Sequence, residues 1–175
     1  LLDQSGRAAE AERAYRQLLA LDPQSGEARR RFGFFLLDEG RGTESYDILL
    51  EAERLGTQAP AVAVALGDHE FGQDLLDEAR AHYEWALELN PGDDDIRLRL
   101  GFVLHDMGDF PGAIALLRNL PDGRGALAEA YLETDDCKNA AGVYEELIVD
   151  EPDNERYLFE LGRCYLSLRR FGQAV

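Results

Sequence analysis

EARAHYEWALELNP, residues Glu78 to Pro91, sets Ala79, Tyr83, Ala86 and Leu87 at the three- and four-residue spacing of one helix face. Asn90-Pro91 then stops the helix, because proline has no amide hydrogen with which to continue the hydrogen-bond ladder. The same pattern is written twice more. EAERAYRQLLALDP carries Ala11, Tyr15, Leu18, Leu19 and Pro23, and NAAGVYEELIVDEP carries Ala140, Tyr144, Leu147, Ile148 and Pro152. A chain that repeats one helix in this way is an array of like units.

The period is measurable in the residues themselves. Ala11, Ser45, Ala79 and Ala113 lie 34 apart, the step to Ala140 is 27, and the step to Ala174 is 34 again. Gly33, Gly67, Gly101, Ala128 and Gly162 keep the same beat, including the same 27-residue step, and each follows a large apolar residue: Phe32, Leu66, Leu100, Leu127 and Leu161. Two independent sets that share one exception exclude coincidence.

A 34-residue period with a small residue on each of two helices and a closing proline resembles the tetratricopeptide repeat, a helix-turn-helix unit. The residues that carry the resemblance are the pairs Leu66-Gly67, Leu100-Gly101 and Leu161-Gly162, the turn Gly108-Asp109-Phe110, and the helix-closing Asp22-Pro23 and Asn90-Pro91. Three features depart from the family pattern: Thr57 stands in place of a proline, Ser45 in place of alanine, and one unit is seven residues short. The resemblance implies an all-α fold, a right-handed α-solenoid or superhelix of helix-turn-helix units. The divisions expected are a partial repeat at 1–25, repeats at 26–59 and 60–93, a shortened repeat at 94–120, a repeat at 121–154 and a partial repeat at 155–175. The chain opens on Leu-Leu-Asp and ends at Val175 early in a helix, so it is expected to be a piece of a longer array.

Composition narrows the function classes. Apolar residues make up 45%, ample for a core in which each unit buries its face against its neighbours, and no run of ~18 apolar residues is present to span a bilayer. Basic residues are almost all arginine, Lys138 being the one lysine, which points to a GC-rich, bacterial genome. From Glu44 to Glu155 there are 27 acidic and 7 basic residues, a net charge of −20 that leaves +3 for the two ends. Such a field repels nucleic-acid phosphates and anionic lipid and favours cationic partners; its other reading is solubility or salt adaptation.

Local signals set further expectations. Leu1 to Gln4 reads as the end of one helix, with a turn at Gly6-Arg7 before the next helix at Ala8–Leu21. Thr43 is the expected N-cap of the helix that follows Gly40-Arg41-Gly42, and Pro60 suits the first turn of a helix. Asp93-Asp94-Asp95 reads as a capping cluster, since the closing glutamate of a calcium loop is missing. A helix is expected at Pro111–Leu120, with Gly123 and Gly125 absorbing the missing two turns. The last segment is expected to hold a helix at Arg156–Leu168 and the start of another.

No catalytic motif is present: no GxSxG, P-loop, CxxC or HExxH. The chain is therefore read as not an enzyme, with no cofactor and no metal. His69 lies between Asp68 and Glu70, but consecutive helical residues point apart, and His82 and Trp85 are expected against the next unit or in solvent. Cys137 and Cys164 are able to approach across adjacent helices, or to sit as buried apolar thiols.

The resemblance implies that the first helix of each unit lines a concave surface. The residues so placed are Phe34, Leu37, Asp38, Asp68, Phe71, Leu98, Phe102, His105, Asp106, Glu129, Leu132 and Glu133, with Arg30 and Arg163 the basic ones. Apolar anchors alternating with acids suit a protein or peptide partner, a basic or amphipathic segment. The alternatives are a periplasmic repeat scaffold of bacterial exopolysaccharide export guiding a cationic polysaccharide, or the substrate-positioning module of a larger enzyme. A plainer reading has Phe34, Phe71 and Phe102 simply filling the inner wall. A clamp for a C-terminal carboxylate is argued against, because Arg30 and Arg163 fall in units too far apart.

Overall fold

The computed structural model describes residues 2–172, with side chains described for residues 7–169. These residues form ten α-helices and one 3₁₀ turn, without a strand among them. Leu1 and the segment 173–175, including the repeat position Ala174, lie outside the described residues. The helices group into two compact units, residues 2–91 and 92–172.

The first unit holds α1 (Leu2–Leu21), α2 (Gly26–Asp38), α3 (Gly42–Arg54), α4 (Pro60–Gly72) and α5 (Leu76–Leu89). α1 runs unbroken through Gly6-Arg7, where a turn was expected. One helical glycine costs only about 1 kcal/mol, and no proline enforces the break. α3 begins at Gly42, with Arg41 at the cap position and no side-chain capping bond, so Thr43 sits one residue too far into the helix to cap it. Pro60 opens α4 as expected.

The second unit holds α6 (Asp94–Asp106), α7 (Phe110–Leu117), α8 (Arg124–Glu133), α9 (Cys137–Asp150) and α10 (Glu155–Gly172). Asp93 caps α6, its carboxylate accepting from the amides of Asp95 and Ile96. The seven missing residues fall on α7, which has 8 residues and ends at Leu117, short of the expected Leu120. A 3₁₀ turn at Pro121–Gly123 replaces its last turns. Gly123 is needed there, because a Cβ on it would lie 2.8 Å from Leu117 Cδ2 and 3.1 Å from Leu98 Cδ1. Gly125 meets nothing within 4 Å, so the tight packing falls on Gly123 alone.

One packing rule repeats through the array. A Cβ on Gly33 would lie 2.4 Å from Leu49 Cδ2, one on Gly67 2.8 Å from Tyr83 Cε1, and one on Gly101 2.4 Å from Leu117 Cδ2. Each glycine meets the residue sixteen places on, so the first helix of a unit opens a gap that a large side chain of the second helix fills. Ser45, Ala79, Ala113 and Ala140 are fully buried at the crossing. The Ser45 hydroxyl avoids the penalty of burial by donating to the Gly33 carbonyl at 2.8 Å.

The turns between paired helices obey a second rule. Gly40, Asp74, Gly108 and Asp135 occupy equivalent places, and all have positive φ, at 74°, 62°, 77° and 58°. The next place in the series is Arg169, and there the chain does not turn: α10 runs on to Gly172, past the expected end at Leu168. Arginine tolerates left-handed backbone far less readily than glycine or aspartate, so the helix continues.

Candidate functional site

In the second unit α6, α8 and α10 frame an open cleft of about 470 Å³ lined by His105, Asp106, Phe110, Glu129, Leu132, Glu133, Tyr144, Arg156, Glu160 and Arg163. Of the residues expected on the inner wall, His105, Asp106, Glu129, Leu132 and Glu133 come together here. Glu129 accepts from Arg156 at 2.6 Å and Glu160 from Arg163 at 2.7 Å. His105 turns its Nδ1 to Asp106 at 3.2 Å and its Nε2 towards Glu129 at 3.7 Å, and packs edge-on against Phe110 with ring centres 5.7 Å apart. Asp106 and Glu133 are exposed, and among the described residues neither has an arginine or lysine partner. The cleft thus holds four carboxylates against two arginines.

Arg156, Phe110, Tyr144 and Glu160 also line this cleft, although they were not among the expected residues. Tyr144 reads in sequence as part of the buried face of its helix, and it is buried, its hydroxyl pushed up to about 12 by desolvation and then by Glu160 and Glu129. Arg156 is the second residue of α10, and only the fold brings it against Glu129, 27 residues earlier.

Leu98 and Phe102, also expected on this wall, are half-buried and do not line the cleft; Leu98 packs towards Gly123. In the first unit Leu37 and Asp38 are exposed on α2, and Phe71 is half-buried on α4. Phe34 packs against the core cluster of Leu49, Val62 and Leu66. Arg30 is tied to Glu27 by two bonds of 2.7 Å. Asp68 is exposed and accepts from the Tyr83 hydroxyl at 2.6 Å.

The side chains of the segment Asp68-His69-Glu70 go to different surroundings. Asp68 meets Tyr83, His69 stacks on Tyr46 with ring centres 4.5 Å apart, and Glu70 turns into the core. Glu70 is 1% exposed; it accepts from the Tyr46 hydroxyl at 2.9 Å and lies 2.5 Å from His82 Nδ1. The other nitrogen of His82 lies 3.6 Å from Glu53, so His82 turns inward to α3 and α4, where packing on a neighbouring repeat or exposure to solvent was expected. Burial, followed by the bond to Glu70, pushes the Tyr46 hydroxyl up to about 12. The signal was in the period: the repeat places of Glu70 hold Leu36 and Leu104, and those of His82 hold Ile48 and Leu116.

Among the described residues, no three His, Cys, Asp or Glu side chains are grouped to hold a metal, and no helix is long and apolar enough to cross a membrane.

Comparison with known proteins agrees with the geometry. Sequence profiles described as tetratricopeptide repeat match residues 4–67, 70–125 and 126–175. The chain is 28% identical over 145 residues to cellulose synthase operon protein C of Pseudomonas fluorescens, covering 73% of this chain and 11% of that protein. It is 32% identical over 142 residues to cellulose synthase 2 operon protein C of Komagataeibacter xylinus, covering 74% of this chain and 10% of that one. The chain therefore spans about a tenth of the length of these curated relatives. The crystal structure of YrrB, described as a repeat protein with an unusual peptide-binding site, superposes with a TM-score of 0.76 at 21% identity over 91% of this chain and 86% of that one. A structure of MamA superposes with a TM-score of 0.71 at 23% identity over 89% and 88%. The chain belongs to the tetratricopeptide repeat family, whose helix-turn-helix arrays are protein-interaction scaffolds.

Proposed function

We propose that this chain is a non-catalytic binding segment whose acidic and apolar inner wall holds a basic or amphipathic stretch of a partner protein. The observation behind the reading is the cleft of residues 92–172, where Asp106 and Glu133 stand exposed beside Leu132 and Phe110. Glu129 and Glu160 are already neutralised by Arg156 and Arg163, so the surplus negative charge rests on Asp106 and Glu133. An incoming lysine or arginine gains two acceptors there, while Leu132 and the edge of Phe110 offer apolar ground for its neighbours. In the first unit Leu37, Asp38, Asp68 and Phe71 repeat the mixture of apolar and acidic side chains.

A second reading comes from the curated relatives, both named for cellulose synthase operons. In it the array is a scaffold of exopolysaccharide production, and the acidic wall guides a cationic, partly deacetylated amino-sugar polymer. Cellulose itself is an uncharged glucan, so charge recognition favours a protein segment or an amino sugar over that polymer.

Fluorescence polarisation separates the readings. Arginine- and lysine-rich peptides, deacetylated amino-sugar oligomers and cello-oligosaccharides are titrated with the wild type and with an Asp106→Arg/Glu133→Arg variant at low and high salt. The first reading expects peptide binding that weakens with salt and falls at least about tenfold in the variant, with far-ultraviolet circular dichroism unchanged. Equal peptide binding by the variant removes the cleft from the site. Binding of oligosaccharides alone transfers the protein to the second reading.

A further inference from the structure

The two cysteines of the chain fall on neighbouring helices. Cys137 is the first residue of α9 and Cys164 lies within α10, which the short connection 151–154 folds back along α9. Both thiols line one cavity of about 480 Å³, together with Leu132, Asp135, Arg163, Leu166 and Ser167. Cys164 is fully buried and Cys137 half-buried, and both are free. Burial, followed by the neighbouring Cys137, pushes the Cys164 thiol up to about 11. Leu132 and Arg163 line both this cavity and the acidic cleft, so the thiol pair sits directly behind the wall described above.

We infer that Cys137 and Cys164 form a modification site for low-molecular-weight disulfides, at which Cys137 takes up the oxidant and Cys164 resolves it into a bond between α9 and α10. The assignment of roles follows from exposure, since thiol–disulfide exchange needs a thiolate that the oxidant can reach. With oxidised glutathione the steps balance as follows. The Cys137 thiolate attacks one sulfur of glutathione disulfide, that S–S bond breaks, and one glutathione leaves as a thiolate that takes a proton from water. Cys164 gives its proton to solvent and attacks the Cys137 sulfur, and the second glutathione leaves. Two protein thiols are oxidised to one disulfide, and one glutathione disulfide is reduced to two thiols. The cross-link ties the start of α9 to the middle of α10 without a second protein molecule.

The test uses the reduced chain, incubated with oxidised glutathione at mildly alkaline pH and examined by thiol titration, intact mass and peptide mapping. The chain contains two cysteines, so the expected result is a thiol titre falling from two to none, a monomer lighter by two hydrogens, and a joined pair of peptides that dithiothreitol separates. Cys164→Ser is expected to retain one glutathione on Cys137, and Cys137→Ser to keep its free thiol. Cys137 is half-buried, so the second variant remains informative should the buried substitution fail to fold. Glutathione retained by the wild type, a cross-link between chains, or two thiols still free after treatment would each overturn the proposal.

Discussion

The carboxylate of Glu70 lies 2.5 Å from Nδ1 of His82, at two places where neighbouring repeats hold leucine or isoleucine. The pair is matched: a buried acid on α4 is met by a base from α5, and Tyr46 of α3 supplies the remaining donor. Removing one partner strands the other, whereas removing both returns the apolar contact used elsewhere in the array and leaves only the half-buried Tyr46 hydroxyl to find water. His82→Leu is expected to cost about 3–5 kcal/mol, and Glu70→Leu/His82→Leu to be neutral or to stabilise by about 1–4 kcal/mol. Urea unfolding of the two variants measures the difference, and equal losses in both would show that the pair does not act as a unit.

The rule that each first-helix glycine meets the residue sixteen places on separates two kinds of glycine. Gly101 has Leu117 Cγ only 2.7 Å from where a Cβ would stand, while Gly142, exposed in the middle of α9, meets nothing within 4 Å. Gly101→Leu is therefore expected to lose about 1–3 kcal/mol or more by overpacking, and Gly142→Ala to gain about 1 kcal/mol from helix propensity. Thermal unfolding followed by circular dichroism reads both signs, and a stabilised Gly101→Leu would refute the packing rule.

The four left-handed turns make a conformational prediction with no steric element. Gly108, at φ 77°, has open space around its missing Cβ, so Gly108→Ala tests backbone strain alone and is expected to cost about 1 kcal/mol. Asp74 holds the same conformation with a side chain, and Asp74→Gly is expected to gain up to about 1 kcal/mol. Opposite signs for the two substitutions in urea unfolding support the shared turn. Losses in both would mean that the Asp74 side chain supplies something the turn geometry does not.

The limits of sequence reading show at particular residues. The 34-residue beat and its 27-residue exception made the helical repeat legible, because a repeat depends on local periodicity and on one unit resembling the next. The same beat, followed to Glu70 and His82, marks both as polar residues in apolar places, but only the fold shows that they answer each other. At Gly6, a residue tolerated in both helix and turn, sequence alone chose the turn and the chain formed helix.

By itself the sequence determined the all-α repeat, its family and the acidic surplus, since each is written in composition and in spacings shorter than one unit. The tertiary structure decided which of the residues expected on an inner wall meet: His105, Asp106, Glu129, Leu132 and Glu133 share a cleft, while Phe34 joins the core. It also decided that Arg156 and Arg163 neutralise half of that cleft's acids, and that Cys137 and Cys164 line one cavity. These pairings join residues on different helices, and their geometry depends on how the helices cross, which no residue's own position in the period specifies.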